Sequence, residues 1–282
     1  MNTPKTIELF LVEGEARGIR TAAVGNRTGK AVVIPRSRIK EAAKRSELEQ
    51  VGIYFLFGED EEVNRPIVYV GEAESVIGRL RQHHQDSSKD YWDTAVAFVA
   101  KDNSLTKAHV KYLENISYQA IIDANRSTVK NNSNPATAHL PETTEATARE
   151  FYEDLKLLIS TLGYPVFVPA AEQSADYTTY YCTGRGVEAT GRYTDDGFLV
   201  MAGSGVNLDV TDSASDWISS LGQKLLKNDI LEQKGGDKAI FTEDYLLRSP
   251  SGAAAIVLGR NTNGWTRWKD AQGNTLHDNE RA

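Results

Sequence analysis

Two short apolar runs, "VGIYFLFG" at residues 51 to 58 and "PIVYVG" at 66 to 71, each set a tyrosine near a glycine. Tyr54 and Tyr69 are followed by Arg79, ten residues after the second tyrosine, then by His83 and His84, and by Glu114 at the end of "KAHVKYLE". An arginine fork can grip two non-bridging phosphate oxygens and stays charged at any relevant pH. A lone glutamate suits Mg²⁺, which takes one or two carboxylates and keeps several waters. Hydrolysis of a phosphodiester needs those two functions, together with an activated water and help for the departing 3′-oxygen. A free tyrosine, with a pKa near 10, is a poor base at neutral pH unless a nearby metal or arginine lowers it.

Each residue also has a bland explanation. Tyrosine is common in strands. Lys107, Lys111 and Glu114 fall on one helix face at i, i+4 and i+7, as in a solvated ion-pair stripe. The order of the whole set is what separates the two explanations, and that depends on the elements that carry it.

Residues 6–12 and 31–34 are predicted strands from their β-branched content, with a short helix in "RSRIKEAAKRSELEQ". The two tyrosine runs form a hairpin joined by the acidic loop "EDEEVNRP". A helix in "ESVIGRLRQHH", a strand in "TAVAFVA" and a helix from about Thr106 to Asn125, capped by Ser104, come next. After a polar, turn-rich stretch, a helix in "ATAREFYEDLKLLISTLG" ends at Gly163 before Pro165. Beyond a boundary in "VPAAEQSADY", short antiparallel strands lead to helices near "DWISSLGQKLLKND" and "SPSGAAAIVLG". Four segments follow: an N-terminal accessory segment 1–48, a central domain 49–165, a linker 166–177 and a C-terminal α+β domain 178–282.

The ordered set Gly52-Ile53-Tyr54, Tyr69-Val70-Gly71, "RLRQH" and "KAHVKYLE" resembles the GIY-YIG nuclease superfamily over roughly residues 49 to 135, with valine replacing isoleucine in the second tripeptide. The resemblance implies an α/β fold whose core is a small mixed or antiparallel sheet flanked by helices. It further implies a metal-dependent endonuclease using a single Mg²⁺ or Mn²⁺ on Glu114, with Arg79 on the scissile phosphate. Tyr54 then acts as general base or orients the attacking water, Tyr69 supports the same network, and His83 shares the proton traffic, with His84 as its immediate alternative. An asparagine after the glutamate helix completes such a site; Asn125, Asn131, Asn132 and Asn134 are available, and Asn132 is favoured. The C-terminal segments "TGRGVEATGRYTDDGFLVMAGS" and "FTEDYLLRSPSGAAAIVLGRNTNGWTRWKD" look like a domain of unknown function that accompanies such nucleases in bacterial proteins. By analogy the role would be restriction or defence against foreign DNA, and a binding protein that keeps the fold without useful catalysis is the alternative.

Composition argues partly against this. The net charge is −7, whereas phosphate binding needs Lys and Arg. Residues 1–50, however, hold ten Lys/Arg against six Asp/Glu, so Arg36, Arg38 and Lys40 are candidate phosphate contacts, along with Lys107 and Lys111; a solvated helix face is the alternative. "NGWTRWKD" interleaves aromatic and basic residues as base-stacking surfaces do, although paired tryptophans also suit a core. The partner expected is nucleic acid, with DNA favoured over RNA, and not a membrane, because no apolar run approaches the ~20 residues a span requires. The N-terminus is unlike a signal peptide and the lone Cys182 suits a reducing compartment, so a cytoplasmic location is expected.

Overall fold

In "GIYFLFG" nearly every side chain is apolar, and a strand of that kind needs cover on both faces. The computed structural model, which describes residues 4–60, 65–169 and 177–281, supplies it. The chain divides into two compact units, Met1–Pro169 and Ala170–Ala282. In the first, strands β1 (Ile7–Leu11), β2 (Arg20–Val24), β3 (Gly29–Pro35), β4 (Gly52–Asp60), β5 (Arg65–Ala73), β6 (Thr94–Ala100) and β7 (Thr128–Val129) make one sheet in the order β1-β2-β3-β6-β4-β5-β7. All pairs are antiparallel except β5 with β7, which is parallel. Helices α1 (Ile39–Ala42), α2 (Val76–Gln85), α3 (Lys107–Ala124) and α4 (Glu142–Thr161) cover the sheet.

Alternation along β4 sorts its side chains into two cores. Ile53, Phe55 and Phe57 pack with Val110 and Leu113 of α3 and with Leu155 and Leu158 of α4. Tyr54 and Leu56 face the other way, into a cluster with Ile39 of α1, Val76, Ile77 and Leu80 of α2, and Trp92. The fold is therefore mixed α/β, with helices on both sides of one sheet.

Several expectations change here. Residues 1–48 are not a separate accessory segment, because β3 pairs with β6 along seven residues, Gly29↔Ala100 to Pro35↔Thr94. The strand Arg20–Val24 was not expected; its alanine-rich sequence has little β propensity and gains its place from pairing with β1 and β3. The expected helix at 36–50 is broken into α1 flanked by two short 3-10 turns. Thr106, not Ser104, caps α3 in a reciprocal box with His109, while Ser104 bonds the Asp102 carboxylate in a local turn. The long hairpin loop is shorter than expected, since pairing runs out to Asp60↔Arg65; its residues 61–64 lie outside the described residues. So do residues 170–176 of the expected linker, while Val168 and Pro169 accept hydrogen bonds from Arg126 in the first unit.

The second unit has two small antiparallel sheets. Strands β8 (Thr179–Gly184), β9 (Val187–Thr194), β10 (Gly197–Val200) and β14 (Tyr245–Leu247) form one; β11 (Gly205–Asn207), β12 (Leu231–Gly235) and β13 (Lys238–Phe241) form the other. Helices α5 (Asp216–Lys227), α6 (Pro250–Leu258), α7 (Gly264–Arg267) and α8 (Leu276–Glu280) complete it. Cys182 is fully buried, and burial pushes its thiol up to about 11. Trp268 of "NGWTRWKD" is core as well: it lies 4.3 Å from the Phe198 ring and donates Nε1–H to the Pro250 carbonyl. Trp265 is covered by the Arg281 guanidinium at 3.4 Å. Among the described residues no helix is long and apolar enough to cross a membrane.

The glycine that ends "VGIYFLFG" answers to a close approach. A Cβ on Gly58 would stand 1.8 Å from the Tyr91 carbonyl oxygen, where the segment entering β6 crosses β4. The Asp93 N–H donates to the Phe57 carbonyl at 2.9 Å and fixes that crossing. Gly58→Ala should cost about 1–3 kcal/mol in urea or thermal unfolding, because backbone meets backbone and no side chain can give way. Wild-type stability in that variant would show that the crossing is looser than described.

Candidate active site

The β4–β5 register sets Tyr54 opposite Gly71 and Leu56 opposite Tyr69. Both phenols therefore emerge on the face covered by α2, their ring centroids 6.2 Å apart. Ser75 caps α2 by accepting from the Gly78 N–H, and the helix turns Arg79 and His83 toward those phenols. His83 is buried, with Nε2 2.8 Å from the Tyr54 hydroxyl and its ring 5.1 Å from that of Tyr69. His84, the alternative, is exposed. Arg79 is exposed and donates to Gln82 at 2.7 Å, and it lies near enough to both phenols that Tyr54, chiefly, raises its pKa.

Gly71 is required by this packing. A Cβ there would lie 2.3 Å from the Tyr54 hydroxyl, so the phenol rests on bare backbone. Burial, and then repulsion from Tyr69, raise the Tyr54 pKa above its ordinary value; the opposing pull of Arg79 is smaller. The expected acidification of this tyrosine is not seen: Arg79 pulls the pKa down, burial outweighs it, the net shift is upward, and the group is a neutral phenol. Burial, followed by the charges of Lys89 and Arg79, lowers His83 to about 4, so its imidazole is neutral as well.

Glu114 approaches from the other side of the sheet, on α3 beside core residues Val110 and Leu113. The two sides meet at the edge of β5. There β7 is only two residues long and pairs with Ile67 and Val68, which leaves the outward backbone groups of Val70 and Glu72 in need of partners. Asn131 takes both from Val70, accepting its N–H at 3.0 Å and donating to its carbonyl at 2.8 Å. Glu114 lies beside Glu72, near enough for the Glu72 backbone to favour its ionised form. Tyr69, Val70, Gly71 and Glu72 thus bring the phenol cluster, Asn131 and Glu114 to four consecutive residues of β5.

Of the four candidate asparagines it is Asn131 that bonds the backbone of β5, while Asn132, the favoured one, is exposed. The β5–β7 offset, Ile67↔Thr128 and Val68↔Val129, carried two residues further sets Asn131 beside Val70. Asn125 caps α3 and binds Arg65, and Asn134 accepts from Tyr118.

Most of the expected phosphate contacts are engaged within the protein. Lys107 pairs with Glu72 at 3.0 Å and Glu74 at 3.5 Å. Arg38 pairs with Glu15 and Glu41. Arg36 binds the Lys89 and Trp92 carbonyls and the Asp90 carboxylate, and stacks on Trp92 at 4.7 Å. It is a clamp on the segment after α2, and only Lys40 and Lys111 of the five stand exposed.

Sequence reasoning missed Glu72 and Lys89, and held Asn131 only as an alternative to Asn132. Glu72 follows the second tripeptide directly, and strand alternation alone sends its side chain to the face opposite Tyr69, toward α3. Glu114 and Glu72 are close enough for mutual repulsion, which together with the larger effect of burial pushes Glu114 up to about 7. Two neighbouring carboxylates, one of them paired with Lys107, fit a hard divalent ion that fills the rest of its shell with water. Among the described residues no cluster of three or more His, Cys, Asp or Glu could hold a metal ion, and Mg²⁺ commonly binds with one or two carboxylates and water.

Residues 180–280 match the family described as Domain of unknown function (DUF4357), a span that lies wholly within the second unit. No curated protein matches the chain. No solved structure does either.

The raised Glu114 pKa carries a stability consequence. Its folded value, about 7, exceeds the ordinary 4.5; the folded state binds the proton more tightly, so stability falls as pH rises from about 4.5 to 7. In metal-free buffer, Glu114→Gln should be more stable than wild type at pH 8 by about 1 kcal/mol, after discounting for partial solvent exposure. At pH 4 the advantage should vanish. Thermal unfolding at the two pH values checks this, and equal differences at both would contradict it.

Proposed function

We propose that this chain is a metal-dependent endonuclease that hydrolyses phosphodiester bonds by tyrosine-assisted attack of water, with DNA the favoured substrate and the cytoplasm its location. The observation that carries the reading is the convergence of Tyr54, Tyr69, Arg79 and His83 on the β4–β5 hairpin, with Glu114 beside Glu72 of the same strand. The order of these residues resembles the GIY-YIG nucleases, and the domain of unknown function in the second unit accords with that resemblance.

In this reading Arg79, exposed and always charged, grips the non-bridging oxygens of the scissile phosphate. A divalent cation on Glu114 would supply charge stabilisation to the phosphate and acidify water. Tyr54 orients the attacking water as a phenol; its burial makes a resident phenolate too costly before substrate binds. Tyr69 holds the ring stack that fixes Tyr54 in place, and Asn131 keeps the β5 edge straight between the two halves. A restriction or defence role would follow by analogy alone.

A second reading, a nucleic-acid-binding protein without useful catalysis, draws on the high Tyr54 pKa and on the internal pairing of Arg36, Arg38 and Lys107. One experiment separates the two. Cleavage of single-stranded, duplex, RNA and modified-cytosine substrates is measured in Mg²⁺, Mn²⁺ or EDTA, with wild type, Tyr54→Phe and Glu114→Gln. The nuclease should cut in metal and lose about a hundredfold or more in rate on Tyr54→Phe, whereas a purely structural hydroxyl would cost about 1 kcal/mol of stability and little rate. Glu114→Gln should abolish cleavage while the protein still binds substrate. Binding without cleavage by the wild type would favour the second reading.

A further inference from the structure

Lys89 has no part in the site as read from sequence, yet it touches two of its members. Its Nζ lies 3.0 Å from His83 Nδ1 and 4.4 Å from the centre of the Tyr69 ring. The segment that carries it is held from several directions. Asp86 ends α2 and accepts from the Ser88 N–H and hydroxyl; Arg36 binds the Lys89 carbonyl; and Tyr91 packs its carbonyl against Gly58.

An ammonium group can only donate. We infer that Lys89 is a positioning residue that fixes the His83 tautomer: its ammonium donates to a bare Nδ1, so Nε2 carries the ring proton and donates to the Tyr54 hydroxyl. The opposite assignment needs a neutral lysine accepting from Nδ1–H. Burial and Arg79 do lower the Lys89 pKa, but the aromatic face beneath Nζ favours the charged form.

A donor at Nε2 changes what His83 can do. It cannot take the Tyr54 proton while Lys89 is in place. It can stabilise negative charge that develops on the phenol oxygen, and it leaves the phenol's own proton free for a water or phosphate oxygen. The expectation that His83 shares the proton traffic is thereby narrowed to hydrogen-bond donation. This catalytic consequence rests on the nuclease reading; the tautomer does not.

The test uses the full chain labelled with ¹⁵N in its histidine rings, the His83 signals being assigned by their loss in His83→Gln. Long-range proton–nitrogen spectra of the wild type at pH 7, without metal, should show Nε2 protonated and Nδ1 bare. Lys89→Met should disturb that pattern and move the His83 titration from about 4 toward the ordinary value near 6.5. Asp86 and Arg79, the other charges facing the ring, remain in the variant, and Lys89→Arg should restore the bare Nδ1. In cleavage assays Lys89→Met should lower kcat by about tenfold to a hundredfold, the usual scale for a partner that orients a functional imidazole, with KM little changed. A wild-type spectrum with Nδ1 protonated overturns the inference without any variant. So does Lys89→Met with an unchanged tautomer and titration. A wild type that cuts nothing but shows the stated tautomer would sink the nuclease reading alone.

Discussion

The Tyr54 hydroxyl lies where the side chain of residue 71 would be if that residue were not glycine. This one steric condition fixes the rest of the site. It brings the Tyr54 ring flat across β5, within a hydrogen bond of His83 and beside Tyr69, and lets Arg79 close over both phenols. The exclusion of water that follows is what keeps the phenol neutral, since burial outweighs the arginine nearby. The glycine of the second run thus has a physical reason: across the hairpin, Gly71 receives Tyr54, while Gly58 of the first run answers to the Tyr91 carbonyl.

The second constraint is the unpaired edge of β5. A two-residue partner strand satisfies only its first half, and the Asn131 side-chain amide serves Val70 beyond it. Asn131 aligns the strand that bears Tyr69, and Glu114, beside Glu72, would carry the cation in the proposed function. Arg36, like Asn131, serves the fold, because a cation expected to meet phosphate instead secures the turn from which Lys89 reaches His83.

Local pattern made much of this legible. The strand at 94–100 and the helix holding Arg79 and His83 stand where their apolar periodicity sets them, and the phenols, Arg79 and His83 meet as their order suggests. What was hidden depended on partners distant in the chain. Arg20–Val24 becomes a strand because two neighbours pair with it, and residues 1–48 join the central sheet through a β3–β6 pairing that no local signal announces. The choice between Asn131 and Asn132 turned on a one-residue register, and Lys89 reaches His83 through a turn with no periodic signature. The basic character of residues 1–50 was plain, but which cations remain free after folding is decided by acids brought from elsewhere, such as Asp90 and Glu15.

In the proposed function Glu114 and the phenol cluster, though on opposite faces of the sheet, serve one centre at the β5 edge. The most direct measurement is Mn²⁺-induced relaxation of assigned NMR signals in the full chain. The account predicts selective broadening of the Tyr54 and Tyr69 ring signals and the Asn131 side-chain amide, all abolished in Glu114→Gln. Broadening centred elsewhere, or persisting unchanged in that variant, would contradict it.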